Sequence, residues 1–194
     1  MSNDKGNGSF SLGLILAFGV LVLDQVSKWW IVTEVMTPPR LIPVFPSFNL
    51  VMGWNRGISF GMFDSVSPFN QWLLIGLALV VVSVLLVWLK RADSRLISVA
   101  IGMIVGGALG NVIDRIHYGA VADFLDFYIG DFHWPAFNVA DTGITVGAVV
   151  LVLESLLVGS ETDKKDADGK DISKVVKINF FIILIPYVYI VDIY

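Results

Sequence analysis

At 194 residues, 56% hydrophobic and only 15% charged, the chain is too apolar for a water-soluble domain. Such domains run at about 45–50% apolar and about 25% charged, so this composition and a mean hydropathy of +0.77 point to the membrane class. The absence of cysteine excludes disulfides, iron–sulfur clusters, thiolate zinc sites and cysteine nucleophiles, and a net charge of −4 with a pI near 5.0 argues against a nucleic-acid partner, which needs clustered Lys and Arg.

Crossing a bilayer by helix takes about 20 mostly apolar residues. The first stretch that qualifies is 10–33, which contains Asp24 and Lys28 and is too long and too polar in its second half to be a cleaved signal peptide. Residues 35–67 form a loop punctuated by Pro38, Pro39, Pro43 and Pro46. Within it two runs of β-formers, Asn49 to Trp54 and Ile58 to Phe63, flank Asn55-Arg56-Gly57 and predict a hairpin, hence a small sheet on a membrane face. A second span follows at 68–89, then a cationic turn with Lys90, Arg91 and Arg95, a third span at 96–113, a loop over 115–136 and a fourth span at 138–158. Residues 160–177 are charged and poor in aromatics, which predicts a flexible tail. Residues 178–194 are apolar again but hold Pro186 and Asp192, and their composition assigns them no role. The chain therefore divides into a four-helix transmembrane domain, 1–159, and a tail with an apolar end, 160–194.

Lys and Arg in short loops mark the cytoplasmic side. The cationic turn falls there, as do Lys164, Lys165 and Lys170 after the fourth span and Lys5 before the first. Residues 35–67 and 115–136 then face outward. This topology gathers polar groups. Asp24 lies in the outer half of span one, Asn111 and Asp114 at the outer end of span three with Arg115 directly after, Asp123 and Asp126 in the second outer loop, and Asn138 and Asp141 at the outer start of span four. Ionisable groups inside a membrane are costly and mark function by default, so their convergence at one depth predicts a site.

Each residue alone fits a plainer role. Asn138 and Asp141 suit a helix start, as cap and third residue. Asp114-Arg115 suits an interfacial anchor or a local ion pair, and Asp24 and Lys28, four apart, suit mutual neutralisation on one helical face. Glu154 reads as a surface charge near the inner end of span four, and His117 and His133 as interfacial packing without a ligand cluster. Several catalytic designs drop out. No His-Glu-x-x-His zinc motif exists. Ser27 beside Lys28 is the one serine–lysine candidate, and adjacent helical residues do not face each other. What is abundant on the outer side is the carboxylate, and two carboxylates sharing a proton can hydrolyse a peptide bond without metal or nucleophile.

Five segments together carry a resemblance: Asp24-Gln25-Val26-Ser27-Lys28, Asn55-Arg56-Gly57-Ile58-Ser59-Phe60-Gly61, Gly106 to Arg115 (GGALGNVIDR), Val121-Ala122-Asp123-Phe124 and Phe137-Asn138-Val139-Ala140-Asp141. In this order, across residues 10 to 158, they resemble the lipoprotein signal peptidases, the type II signal peptidases of bacteria. Ile58 stands where that family often has alanine, and residues 178–194 have no counterpart in it. The resemblance implies a membrane α-helical fold, a four-transmembrane-helix bundle with a small extracytoplasmic β-rich cradle, multi-pass in the bacterial cytoplasmic (inner) membrane with both termini cytoplasmic. It implies Asp123 and Asp141 as the catalytic dyad, no cofactor or metal, and diacylglyceryl-modified prolipoproteins as substrates, cut before the lipidated Cys. A cyclic peptide inhibitor of the globomycin type is implied as a ligand.

Like charges a few Å apart cannot both ionise cheaply, so one carboxylate of the implied pair should hold a proton near neutral pH. The other takes a proton from a water that attacks the scissile carbonyl; either Asp suits the starting base. Asp123 on a loop and Asp141 at a helix start would give one mobile and one fixed partner. Asn55, Asn111 and Asn138 can donate to a carboxylate or to substrate backbone, Asp114 and Arg115 brace the segment carrying Asp123, and Asp24 and Lys28 support the site from span one. The substrate's acyl tails would lie among the membrane lipids between helices. A carboxylate-dependent transporter is the alternative, but it would place its charges near the bilayer midplane at broken helices or repeats, whereas here they gather at one edge. The topology is testable with fusion reporters: one near Arg91 or after Tyr194 should read as cytoplasmic, and one near Asp64 or Gly130 as external. Swapped readings would dissolve the convergence.

Overall fold

The computed structural model describes residues 3–57 and 68–162. Four helices carry the architecture: α1 (Asn3–Trp30), α2 (Pro68–Leu89), α3 (Arg95–Tyr118) and α4 (Val139–Thr162). Each contains a stretch long and apolar enough to cross a membrane. A π-helical turn, Ile31–Val35, extends α1 and is closed by the Met36 N–H on the Ile31 carbonyl at 2.8 Å. The turn after α2 delivers Ser94, whose hydroxyl accepts the Ile97 N–H and caps α3. At the other end Gly119, at φ 72°, closes α3 with its N–H on the Arg115 carbonyl, the left-handed conformation that glycine adopts without a Cβ penalty. Helix α3 thus runs beyond the expected 96–113, so that Arg115 belongs to its last turns rather than to the loop expected over 115–136, while Asp114 lies near the end of the helix as expected.

The axis of the bundle is α3. In its most apolar stretch 72% of residues are buried, against 22% to 39% in the other three helices, and α1, α2 and α4 all pack on it. Glycines make the approach close. A Cβ on Gly102 would run into the Gly13 carbonyl of α1, one on Gly106 into the Ala17 carbonyl, and one on Gly107 into the Ala140 carbonyl of α4. Between lipid-bathed helices, where apolar burial gives no net drive, such close backbone packing is what holds helices together. The outward faces carry exposed apolar side chains such as Ile15, Phe18, Leu23, Val80 and Leu153, as a lipid-facing surface requires.

Four strands, β1 (Ile42–Phe45), β2 (Phe48–Asn55), β3 (Val121–Ile129) and β4 (Phe132–His133), form an antiparallel sheet in the order β1-β2-β3-β4. The expected run Asn49 to Trp54 is β2; the expected partner run 58–63 lies outside the described residues. Among the described residues the neighbours of β2 are β1 and β3, the latter paired from Phe48↔Phe127 to Asn55↔Val121. The two segments between helices are therefore stitched into one sheet, and Asp123 sits on a strand opposite Gly53, not on a mobile loop. A row of rings, Phe45–Phe48–Phe127–Phe137, crosses the sheet at centroid spacings of 4.9, 4.7 and 5.9 Å. A small apolar core of Ile31, Met36 and Phe124, flanked by Leu50, Leu125 and Val139, fixes the sheet on the ends of α1 and α4.

The glycine contacts make a stability prediction. Gly106→Leu should lower stability to denaturant in detergent by about 1–3 kcal/mol or more, the usual range for overpacking. Gly19→Leu, where a Cβ meets nothing within 4 Å, should leave it near wild type. Equal losses would show that close packing on α3 is not what Gly106 provides.

Candidate active site

Span one contributes Asp24, Gln25 and Lys28, all from one stretch of α1. Lys28 is buried, and its ammonium meets Asp24 Oδ2, Asp114 Oδ2 and Asn111 Oδ1, each at 2.9 Å. The expected i, i+4 pair exists, and a third-helix carboxylate joins it. Each acceptor then reaches onward. The other oxygen of Asp24 accepts the Ala140 N–H at 2.9 Å, in the first turn of α4. Asp114 Oδ2 accepts the Ala122 N–H at 3.1 Å, the residue before Asp123. The side-chain amide of Asn111 donates to Asp141 Oδ1 at 2.8 Å.

The start of α4 is a reciprocal cap. Asn138 Oδ1 accepts the Asp141 N–H at 2.9 Å, and Asp141 Oδ2 accepts the Asn138 N–H at 3.1 Å. This is a capping box with Asn and Asp in the usual Ser and Glu positions. The plain reading and the functional one hold together, because the same Asn138 also donates its side-chain amide to Asp123 Oδ1 at 2.7 Å. Asn138 thus touches both carboxylates, one by side chain and one by backbone. Both are nearly buried, Asp123 at 4% and Asp141 at 6% exposure. The Asn138 amide also lies 3.4 Å from Asn111 Oδ1 and 3.3 Å from the Ala122 carbonyl, so the two asparagines link the two carboxylates through a chain of polar contacts.

Of the expected residues, Asp24, Lys28, Asn111, Asp114, Asp123, Asn138 and Asp141 come together in one network. Asp114 is joined to the segment carrying Asp123 by the Ala122 N–H. Arg115 is buried, and its carbonyl accepts the Gln71 side-chain amide of α2 and the Gly119 N–H, tying α2 to the end of α3. Asn55 lies on β2 opposite Val121, and its Oδ1 accepts the Gly57 N–H at 2.9 Å, shaping the turn that leaves the sheet. Gln25 was not anticipated as a site residue. Its amide donates to Asp24 Oδ2 at 3.1 Å, to Asp114 Oδ1 at 3.0 Å and to the Gly110 carbonyl at 3.2 Å. An amide beside an intramembrane carboxylate was the available signal.

A second cluster lies out on the sheet. Asp126 is buried and accepts from the Asn49 amide at 2.9 Å, and His133 Nδ1 stands 2.9 Å from its carboxylate while the imidazole stacks on Tyr128. It ties β4 and β2 to β3. His117 packs edge-on against Tyr118. Among the described residues no three His, Cys, Asp or Glu side chains converge as a metal site.

Comparison with known proteins gives a consistent answer. Residues 16–157 match the family described as signal peptidase (SPase) II. The lipoprotein signal peptidase of Methylorubrum extorquens (strain PA1) is 45% identical over 164 residues, 83% of this chain and 95% of that protein. The lipoprotein signal peptidase of Cupriavidus taiwanensis is 47% identical over 158 residues, 79% of this chain and 89% of the relative. Among solved structures, a bacterial membrane enzyme determined in meso at 2.3 Å resolution superposes with a TM-score of 0.65 at 28% identity, covering 81% of this chain and 94% of that one.

Proposed function

This chain belongs to the signal peptidase II family, and from that premise we propose that Asp123 and Asp141 are its catalytic pair. It is a multi-pass membrane protein of the aspartic peptidase class, with lipoprotein signal peptidase activity that removes the signal peptides of prolipoproteins. The observation that carries the assignment is Asn138, which donates to Asp123 from its side chain and to Asp141 from its backbone. That one residue donates to two buried carboxylates supports reading them as a pair that shares a proton.

In the proposed reaction the ionised Asp removes a proton from a water lying between the carboxyls, and the water oxygen bonds to the scissile carbonyl carbon. The protonated Asp donates a hydrogen bond to the carbonyl oxygen as charge develops there. When the tetrahedral intermediate collapses, the carbonyl re-forms, the C–N bond breaks and the leaving amine takes up the proton that the base Asp had removed from the water. Asn111 and Asn138 orient the carboxylates through the contacts above. Asp24, Lys28 and Asp114 hold the segments that carry them, Arg115 ties α2 beside them, and Asn55 shapes the exit from β2. The substrate reading is a prolipoprotein whose Cys carries diacylglycerol, cut just before that Cys. The acyl chains lie among membrane lipids between the helices, and a cyclic peptide of the globomycin type would compete for the same site. The termini face the cytoplasm and the pair the outer side, following the cationic turn at Lys90, Arg91 and Arg95.

Asp123→Asn and Asp141→Asn keep size but remove the ionisable proton, so each should cut turnover of lipidated precursor by about 10²–10⁴-fold or more in protein that still folds. Asp114→Asn should act chiefly through stability. A folded Asp123→Asn enzyme at near wild-type rate, with Asp114→Asn inactive, would transfer the role to Asp114.

The substrate reading has its own test. Each buried CH₂ of a lipid contributes about 0.8 kcal/mol, so two acyl chains dominate binding and hold the bond at the depth of the pair. Purified protein in detergent should therefore cleave lipidated precursor and leave an equally soluble unlipidated one nearly untouched. Equal rates would refute the lipid's role while leaving the pair in place.

A further inference from the structure

Gly110 lies in the middle of α3, where glycine in place of alanine costs about 1 kcal/mol of helix stability. Its backbone adopts no left-handed conformation, so the turn geometry does not explain it. Its surroundings do. A Cβ built there would run into Asp24 Oδ2, would lie 3.1 Å from Asp24 Cγ and would touch the Ala140 Cβ at 3.5 Å. The Asp24 carboxylate is not a flexible end that can step aside. It is fully buried, one oxygen is held by the Ala140 N–H at 2.9 Å, and the other by Lys28 at 2.9 Å and Gln25 at 3.1 Å.

Ala140 directly precedes Asp141, and its N–H is one of the orphan donors of the first turn of α4. Asp24 therefore acts as a cap in trans, from 116 positions away in sequence, placing negative charge at a helix N-terminus where the dipole favours it. The carboxylate reaches that amide by passing over the bare backbone of Gly110.

We infer that Gly110 is a positioning residue for peptide hydrolysis: its missing side chain lets the Asp24 carboxylate reach the Ala140 amide and so fixes the turn that presents Asp141. This rests on the reading of Asp141 as catalytic. Gly102 differs, since the three atoms nearest to its Cβ would all be α1 backbone at Gly13, about two turns along α3 from Gly110.

The test measures kcat and KM on lipidated precursor for the full-length Gly110→Ala, Asp24→Ala, double, Gly102→Ala and Asp141→Asn proteins, with hydrogen exchange of the segment 138–142. Gly110→Ala should lower kcat about 10- to 100-fold with KM within about twofold, as for a small misplacement of a reacting group, and should speed exchange in that segment. The double variant should be no slower than Asp24→Ala, because the added methyl then meets no carboxylate. Gly102→Ala should lose stability without the selective loss of kcat. An unchanged kcat in Gly110→Ala, or losses that multiply in the double variant, would overturn the inference. Should Gly110→Ala fail to fold, a double variant that folds supports it, and one that fails where Asp24→Ala folds overturns it. An active Asp141→Asn enzyme would sink the catalytic assignment instead, while the exchange data still report on Gly110 and Ala140.

Discussion

The polar network where this bundle meets its sheet is centred on one buried ammonium. A lysine has three N–H donors and no acceptor, and Lys28 has one acceptor for each, on Asp24, Asp114 and Asn111. The charge is out of water, and so are the two carboxylates, which is costly unless geometry and hydrogen bonds compensate. Here they do: Gln25 donates to both carboxylates, and the backbone amides of Ala140 and Ala122 fill further lone pairs. Removing one partner from such a set typically costs about 3–5 kcal/mol, since the rest are left buried and unpaired. The cation lies between two negative groups of adjacent helices, and Gln25 bridges the same two.

The cluster matters because of where its arms end. Through Asp24 it reaches the residue before Asp141, through Asp114 the residue before Asp123, and through Asn111 the Asp141 carboxylate itself. Neither proposed catalytic residue belongs to α1, yet α1 supplies the cation that sets the elements bearing both. Asn138 then closes the arrangement from the opposite side. The proposed pair is thus held by a network in which most members touch two others, and hydrogen bonds in such a dry setting reinforce one another.

Much of this was legible in the sequence, for a physical reason. A bilayer imposes length and apolarity on whatever crosses it, so the four spans stand out, and a polar residue within one is conspicuous. That is how Asp24, Lys28, Asn111, Asp114, Asn138 and Asp141 declared themselves. The pairing of β2 with β3 did not, because those strands are separated by two helices and a strand's period of two names no partner. Asp123 therefore read as a loop residue when it is fixed to Gly53 across the sheet. Gln25 and Gly110 escaped for another reason: their effect lies in what they touch on a neighbouring helix, which local pattern does not encode.

The correction to Asp123 changes how the proposed chemistry must work. A mobile Asp could close on a bound substrate, but this one is held by the β2 register, by Asp114 through Ala122 and by Asn138 on its carboxylate. Asp141 is held by its own cap and by Asn111. Both partners are thus in place before substrate arrives, so the scissile bond has to be brought to them at the right depth and angle. A substrate free in water would search three dimensions for that pose. One anchored by acyl chains diffuses in the plane of the membrane at a fixed depth, and most of the orientational search is already done when it meets the enzyme. A pair held in place and the proposed lipid-anchored substrate would then be two halves of one solution: the anchor would supply the positioning that a fixed pair does not obtain by moving.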